Sequence, residues 1–330
     1  MTNNKSIRVT ARAYPTMGLI LLGGIENKKT RNPRYTTAAI AYTGPKQDIF
    51  VETTLYSHNG KKRKGMINGS MVDETSSRSP FRVIDKYSKI ILKDIGRDPK
   101  GNVLSFNSNN YKILSGSSDA GAAAIGKCIA ELCANDVRWK PFENELRTIS
   151  ESVGRSLYGG LTITPKVKGK APYTEQLLDA DAFKDYVIVA CHFESSKRVS
   201  ADEIHERIVK HKDYPKRILS AEKKGNTLRE LAGQRNIEAI FDLAENDTHE
   251  WHGMLEDVGL KLITDEMYEY MERMKELRQR FWNRYLVVSG SNVFVFVRKE
   301  DSAKVVKEAK RYGASPLILK IARGAHIVKG

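Results

Sequence analysis

Leu114-Ser-Gly-Ser-Ser-Asp-Ala-Gly-Ala-Ala-Ala-Ile125 is the stretch on which the fold turns. A run of small residues leads straight into an Ala-rich segment ending near Leu132, so the spacing predicts a tight loop that opens a helix. Small side chains let backbone N–H groups approach an anion. The helix N-terminus adds roughly half a positive charge, and the serine hydroxyls add donors. The stretch lacks the lysine and spacing of a Walker A loop, and it is not a dinucleotide GxGxxG. Two readings stand: a cradle for ATP phosphates that helps to hold Mg²⁺, or a Ser/Asp-capped helix packed tightly on its neighbours.

Towards the N-terminus the pattern reads as strands at 7–14 and 18–24, broken by Pro15, and at 38–42 and 48–56. In the last of these Val51, Thr53 and Leu55 alternate with polar neighbours. Residues 57–69 are Lys/Gly-rich and read as a mobile hairpin turn. Val83, Ile84, Tyr87, Ile90 and Ile91 give 81–95 a helical period, and 103–110 reads as a strand. Beyond the loop, one helix is expected over 141–157, closed by Gly159-Gly160, then a β-rich segment at 161–164. A boundary near 180–185 divides the chain into 1–183 and 184–330. A buried strand at 187–192 follows. Helices are expected from 200 to 283, with breaks near Pro215, Gly225 and Gly259. Strands at 286–288 and 293–297 flank Ser289-Gly-Ser-Asn292, and a helix at 302–312 and a strand at 317–321 complete an α+β chain.

Composition narrows the classes. Of 330 residues, 40% are hydrophobic and 29% charged, which is globular rather than disordered. Lys and Arg number 55 against 40 Asp and Glu, a formal charge of +15. The basic residues are scattered, at 61–64, 166–170, 210–217 and 278–284, without interleaved aromatics. They read as a solvated basic surface with room for a cleft that takes a phosphorylated ligand, not as a nucleic-acid interface. Cys128, Cys133 and Cys191 form no CxxC pair, so neither a disulfide scaffold nor a thiolate zinc site is expected. Residues 1–8 are polar, and the most apolar early stretch, 17–25, is nine residues long. A membrane span needs about 20. The expectation is a cytoplasmic protein with neither a membrane nor a nucleic-acid partner.

Two further motifs bear on chemistry. In Ser150-Glu-Ser-Val-Gly-Arg155, Glu151 and Arg155 stand four apart and are expected on one helix face. Arg155 then either clamps a carboxylate through two parallel hydrogen bonds or makes an ordinary ion pair with Glu151, worth a few tenths of a kcal/mol. In His249-Glu-Trp-His252 the histidines stand at i and i+3, which is not the i,i+4 spacing of a helical zinc pair. His192 and His205 read as packing or surface residues.

In this order the segments resemble the diphosphomevalonate decarboxylase branch of the GHMP kinase superfamily over nearly the whole chain. The matching stretches are 13–24, 66–70, 110–124, Arg155-Ser-Leu-Tyr-Gly-Gly160, Asp247-Thr-His-Glu-Trp-His252 and Ser289-Gly-Ser-Asn292. Two departures stand out: Leu21 occupies the place of the decarboxylases' Lys, and Val288 that of their Asp. The pattern is instead similar to the archaeal mevalonate 3-kinases. The resemblance implies the GHMP kinase fold, with a ribosomal-protein-S5-like N-terminal domain and a ferredoxin-like C-terminal domain. It implies ATP and Mg²⁺ as cofactors, mevalonate as substrate, a homodimer, and phosphorylation of the tertiary 3-hydroxyl in isoprenoid synthesis without decarboxylation. It places Arg155 on the substrate carboxylate, Glu151 on a substrate hydroxyl, and Leu21 and Ser115 beside the substrate. Gly116, Ser117, Ser118 and Asp119 would hold the triphosphate, with Ser118 on Mg²⁺, and Lys197 and Arg198 would reach the nucleotide phosphates. Glu151 would also disfavour a 5-phosphate. The alternatives are a decarboxylase of a phosphorylated mevalonate, which releases CO₂, and a non-catalytic RNA-binding module, which binds with steep salt dependence.

Overall fold

The structure is a computed structural model that describes residues 7–133, 137–194, 199–290 and 292–328. The first half contains β1 (Arg8–Ala13), β2 (Thr16–Ile20), β3 (Thr37–Thr43), β4 (Phe50–Asn59), β5 (Gly65–Ile67), β6 (Ser70–Met71), α1 (Phe81–Asp94), β7 (Asn102–Tyr111), α2 (Ser117–Leu132), α3 (Trp139–Arg147), α4 (Val153–Tyr158), β8 (Leu161–Thr164) and β9 (Glu175–Leu178). The second contains β10 (Tyr186–His192), α5 (Ala201–Ile208), α6 (Tyr214–Gly233), α7 (Ile237–Asp257), α8 (Asp265–Glu276), β11 (Asn283–Val287), β12 (Asn292–Arg298), α9 (Ser302–Arg311), β13 (Ser315–Ile321) and β14 (His326–Val328).

Among the described residues the strands form two sheets. One has six strands in the order β14-β1-β4-β7-β5-β6. The other has eight, β11-β12-β10-β13-β3-β8-β9, with β2 paired to β3. Helix α2 is Ala-rich because it lies close on the first sheet: Ala120, Ala123, Ala124 and Cys128 share a core with Ala11, Val51 and Leu55. In the second sheet the two-residue period of a strand serves two cores. Ile188 and Ala190 of β10 and Phe294 and Phe296 of β12 join Phe241 and Leu255 of α7 on one face. Val187, Val189 and Val295 join Met267 and Met271 of α8 on the other. That is why β10 reads as a continuous apolar run.

The second sheet spans both halves of the chain, since β13 pairs with β3. The end of the chain also returns to its start. β14 pairs with β1, and the Ala325 N–H donates to the carbonyls of Ser156 and Leu157 at the end of α4.

Three expectations need correction. The helix expected over 141–157 is two, α3 and α4, separated by residues 148–152. Ser150, Ser152 and Gly154 are weak helix formers, and buried Arg147 takes the Glu151 carbonyl through Nη1 at 2.7 Å, which fixes the turn. Gly225 does not break a helix, because α6 runs through it. A Cβ there would lie 2.6 Å from Thr36 Cγ2, so the glycine is a packing notch. Finally, 57–69 is not simply a hairpin turn: β4 continues to Asn59, and β5 adds to β7 in parallel.

Candidate active site

Gly116 has φ +78, and a Cβ on it would lie 2.5 Å from the Thr16 carbonyl oxygen. Only glycine lets the loop cross β2 this closely. The Ser115 N–H donates to Tyr42 Oη at 2.9 Å, and that hydroxyl donates to the Ser115 carbonyl at 2.7 Å, so β3 grips the loop at one residue. Helix α2 begins immediately after with no side-chain cap, leaving its first N–H groups for another acceptor.

Three cavities meet at this loop among the described residues. A cavity of ≈150 Å³ is lined by Leu21, Ser115, Gly116, Ser118, Asp119, Glu151 and Arg155, with Val288 opposite. A larger one of ≈510 Å³ is lined by Ser117 and Ser118 together with Ile67, Met71, Arg78 and Asn110. A third, ≈350 Å³, runs past Ser115 and Ser117 to Val199, Ser289 and Asn292. Most residues singled out in the sequence thus share one cavity. Ser117 lies outside it, on the two larger ones. Asp119 faces Arg155 rather than the largest cavity. Lys197 and Arg198 lie outside the described residues.

Arg155 is buried, at 7% exposure, and its Nε and Nη2 have no hydrogen-bond partner. Burial pulls its pKa down, while the carboxylates of Asp119 and Glu151 oppose the shift. A buried guanidinium with unpaired donors is costly unless an anion completes it, and a carboxylate matches its fork.

Glu151 does not pair with Arg155 across a helix turn. It sits in the turn before α4, and its partners come from elsewhere. Arg31 Nε donates to Oε2 at 2.9 Å, and Arg78 Nη2 approaches the same oxygen at 3.4 Å. Both arginines also reach Asp202 on α5, at 2.5 and 2.7 Å. His205 is the third partner. The Gly24 N–H donates to its Nδ1 at 3.1 Å, so Nε2 carries the proton and donates to Glu151 Oε1 at 3.3 Å. Burial favours the neutral acid, but the His205 hydrogen bond and the Arg78 and Arg31 charges outweigh it and hold Glu151 far below the usual carboxylate range. Asp119 is treated differently. Its partners are the hydroxyls of Thr16 at 2.8 Å and Ser150 at 2.6 Å. Burial raises its pKa, against the lowering effect of Arg155 and these hydroxyls.

Helix α7 shapes the apolar wall. Fully buried Asp247 accepts the Leu21 N–H at 2.7 Å and is held by Arg217 through Nη1 and Nη2, at 2.5 and 2.9 Å, and by Lys224 at 2.8 Å. Arg217 Nη2 in turn donates to the Leu21 carbonyl at 3.0 Å. His252 Nε2 donates to the Val287 carbonyl at 3.0 Å, next to Val288. Its pKa is pushed down to about 4 by burial, which keeps it neutral. His249 turns instead to the Tyr285 hydroxyl.

Sequence reasoning missed Arg31, Arg78 and Arg217 and read His205 as a packing or surface residue. Arg217 belongs to the basic run 210–217, yet it is 1% exposed. The motif at 247–252 was the available signal for its partner.

Mg²⁺ fits the donors present. Among the described residues no group of three or more His, Cys, Asp or Glu forms a cage. A Mg²⁺ carried on phosphate oxygens and water needs only one or two protein ligands. Ser118, which lines two of the cavities, would supply one. No helix among the described residues is long and apolar enough to cross a membrane.

Comparison with known proteins agrees with this geometry. Residues 13–172 match the diphosphomevalonate decarboxylase-like N-terminal domain, and residues 199–303 match the mevalonate-3-kinase C-terminal domain. The mevalonate-3-kinase of Picrophilus torridus is 46% identical over 98% of both chains. The crystal structure of mevalonate-3-kinase from Thermoplasma acidophilum, bound to mevalonate 3-phosphate and ADP, superposes with a TM-score of 0.91 at 39% identity, covering 98% of this chain and 99% of that one. Mevalonate diphosphate decarboxylase from Staphylococcus aureus shares the fold alone, with a TM-score of 0.82 at 16% identity over 98% of this chain and 99% of that one. With its α+β architecture of GHMP kinase type, the chain belongs to the mevalonate-3-kinase family.

Proposed function

We infer that the chain transfers the γ-phosphoryl group of ATP to the tertiary 3-hydroxyl of mevalonate, giving mevalonate 3-phosphate and ADP without loss of CO₂. One observation carries this reading over decarboxylation. Leu21 and Val288, apolar where the decarboxylase pattern has Lys and Asp, line the same cavity as Arg155. The ligands of the T. acidophilum relative point the same way.

The unpaired donors of Arg155 take the substrate carboxylate. Leu21 packs against the carbon chain, and Ser115 borders the substrate beside it. The triphosphate lies along Gly116, Ser117, Ser118 and Asp119 at the start of α2, where the backbone N–H groups and the helix dipole favour it. The nucleoside occupies the ≈510 Å³ cavity between Met71 and Asn110. Val199 borders the third cavity, which runs past Ser115 and Ser117. Ser118 holds the Mg²⁺, which when bound neutralises phosphate charge. Phosphoryl transfer through a loose transition state asks for position and charge more than for a strong base. Glu151 fits that division: with the Arg31 and His205 hydrogen bonds and the Arg78 charge on it, it stays ionised and directs a hydroxyl rather than taking a proton.

Incubation with Mg-ATP and mevalonate, followed by ³¹P NMR and CO₂ trapping, tests the reading. A tertiary phosphate ester with no CO₂ is expected. A primary 5-phosphate would reverse the substrate in the cavity. CO₂ released from a phosphorylated mevalonate would establish the decarboxylase instead.

A further inference from the structure

A separate recess opens where β3 and β13 meet the segment 180–186. Its volume is ≈270 Å³, and it shares no lining residue with the cavities at the phosphate loop. Tyr14, Thr43, Phe183 and Ala322, each 3% exposed or less, make its floor. Lys184, Lys299, Lys320 and Arg323 stand around it with a single carboxylate, Asp181.

These cations differ from most of those around the active site, Arg155 excepted. Arg31, Arg78, Arg217 and Lys224 are all matched by carboxylates. Among the described residues, Lys184, Lys299 and Lys320 have no carboxylate partner. Among the described residues the Arg323 side chain donates to His326 Nε2, at 3.0 Å, an imidazole whose pKa burial and the Arg323 charge lower. Charge of one sign over low-dielectric walls focuses the field and concentrates counter-ions. An apolar floor with a few polar groups at the rim is the usual form of a small-ligand site.

We propose that this recess binds an organic diphosphate, with its phosphates among Lys299, Lys320, Lys184 and Arg323 and its carbon body on Phe183 and Tyr186. The charge favours two phosphates over one: a single phosphate ester carries about −2 near neutral pH, and the recess has a surplus of three positive charges. The site adjoins the catalytic machinery through one strand. Lys320 pairs in register with Thr43, and Ile321 with Tyr42, the residue that grips Ser115. The proposal does not depend on which phosphoryl acceptor the active site uses.

Calorimetric titration of the full chain with n-butyl diphosphate tests it, with the active site saturated by a non-hydrolysable ATP analogue and mevalonate. One saturable site per chain is expected. Roughly tenfold or greater loss of affinity is expected in the Lys299→Ser/Lys320→Ser double variant, and no change in Lys307→Ser, an exposed lysine on α9. Absence of saturable binding would overturn the site, as would equal loss in Lys307→Ser or unchanged affinity in the double variant. Equal affinity for inorganic pyrophosphate would overturn the placement of the carbon body. ATP turnover with mevalonate, measured on the same preparations, reports separately on the active site and is expected to persist in the double variant.

Discussion

Asp119 and Glu151 are carboxylates on one cavity in opposite surroundings. Asp119 is reached by two neutral hydroxyls, those of Thr16 and Ser150. Glu151 is reached by two guanidiniums and an imidazole N–H, delivered from both halves of the chain. Burial acts on both in the same direction, so the partners decide: Asp119 ends above its ordinary pKa and Glu151 far below. Environments that push two carboxylates apart in this way divide their labour. Glu151 is a fixed charge that ties the halves together at the cavity, and Asp119 is the softer anion beside Arg155 and the loop that opens α2.

The comparison is broken most sharply at the cation both acids face. Arg155→Ala is expected to lower kcat/KM for mevalonate by about a thousandfold, since two charge-assisted hydrogen bonds are worth about 4 kcal/mol together. Steady-state kinetics at saturating Mg-ATP measures it, and near-normal turnover would remove the carboxylate clamp. On the apolar wall, Asp247→Asn strips buried Arg217 of its fully buried counter-charge and leaves only the more exposed Glu250 at 3.2 Å, so it is expected to cost about 3 kcal/mol of stability in urea unfolding. A smaller effect follows from Glu151→Gln, which should relax discrimination against mevalonate 5-phosphate by about tenfold or less. Arg31 and Arg78 already offset the carboxylate, so its repulsion of a phosphate is weaker than an isolated charge would exert. Ratios of kcat/KM for the two substrates decide it.

The subtlest test is a pair of opposite pH slopes. Glu151 titrates lower folded than unfolded, so its stabilising contribution is complete above about pH 4.3 and is lost as pH falls through the folded value. Asp119 titrates higher folded than unfolded, so its cost is absent below about pH 3.9 and complete once pH has risen through the folded value. On acidification the stability advantage of the parent chain over Glu151→Gln should therefore shrink, and that over Asp119→Asn should grow. Urea unfolding of the nucleotide-free proteins across this range gives both slopes.

What the sequence disclosed follows from how local each feature is. The loop at 114–121 and the helix it opens are written in adjacent small residues, and β10 in a run of apolar ones. Arg155 stood out because its motif is contiguous. The rest of the acid wall arrives piecemeal. Arg31 and Arg78 lie in loops whose side chains meet only after α5 docks. Arg217 looked like surface because its run is basic, and only packing of α6 on α7 supplies Asp247, thirty residues further along. The strands β5, β6, β9 and β14 are too short to carry a period, and their partners rather than their own residues make them strands.

The return of residues 322–328 to the first half has a consequence for synthesis. The edges of β1 and β3 stay unpaired on the ribosome until β13 and β14 emerge, and open edges invite association with other chains. The same segment supplies the donor that closes α4, the helix that carries Arg155. A nascent chain can therefore form the loop at 114–121 and the helix it opens before the contacts that close α4 around Arg155 exist.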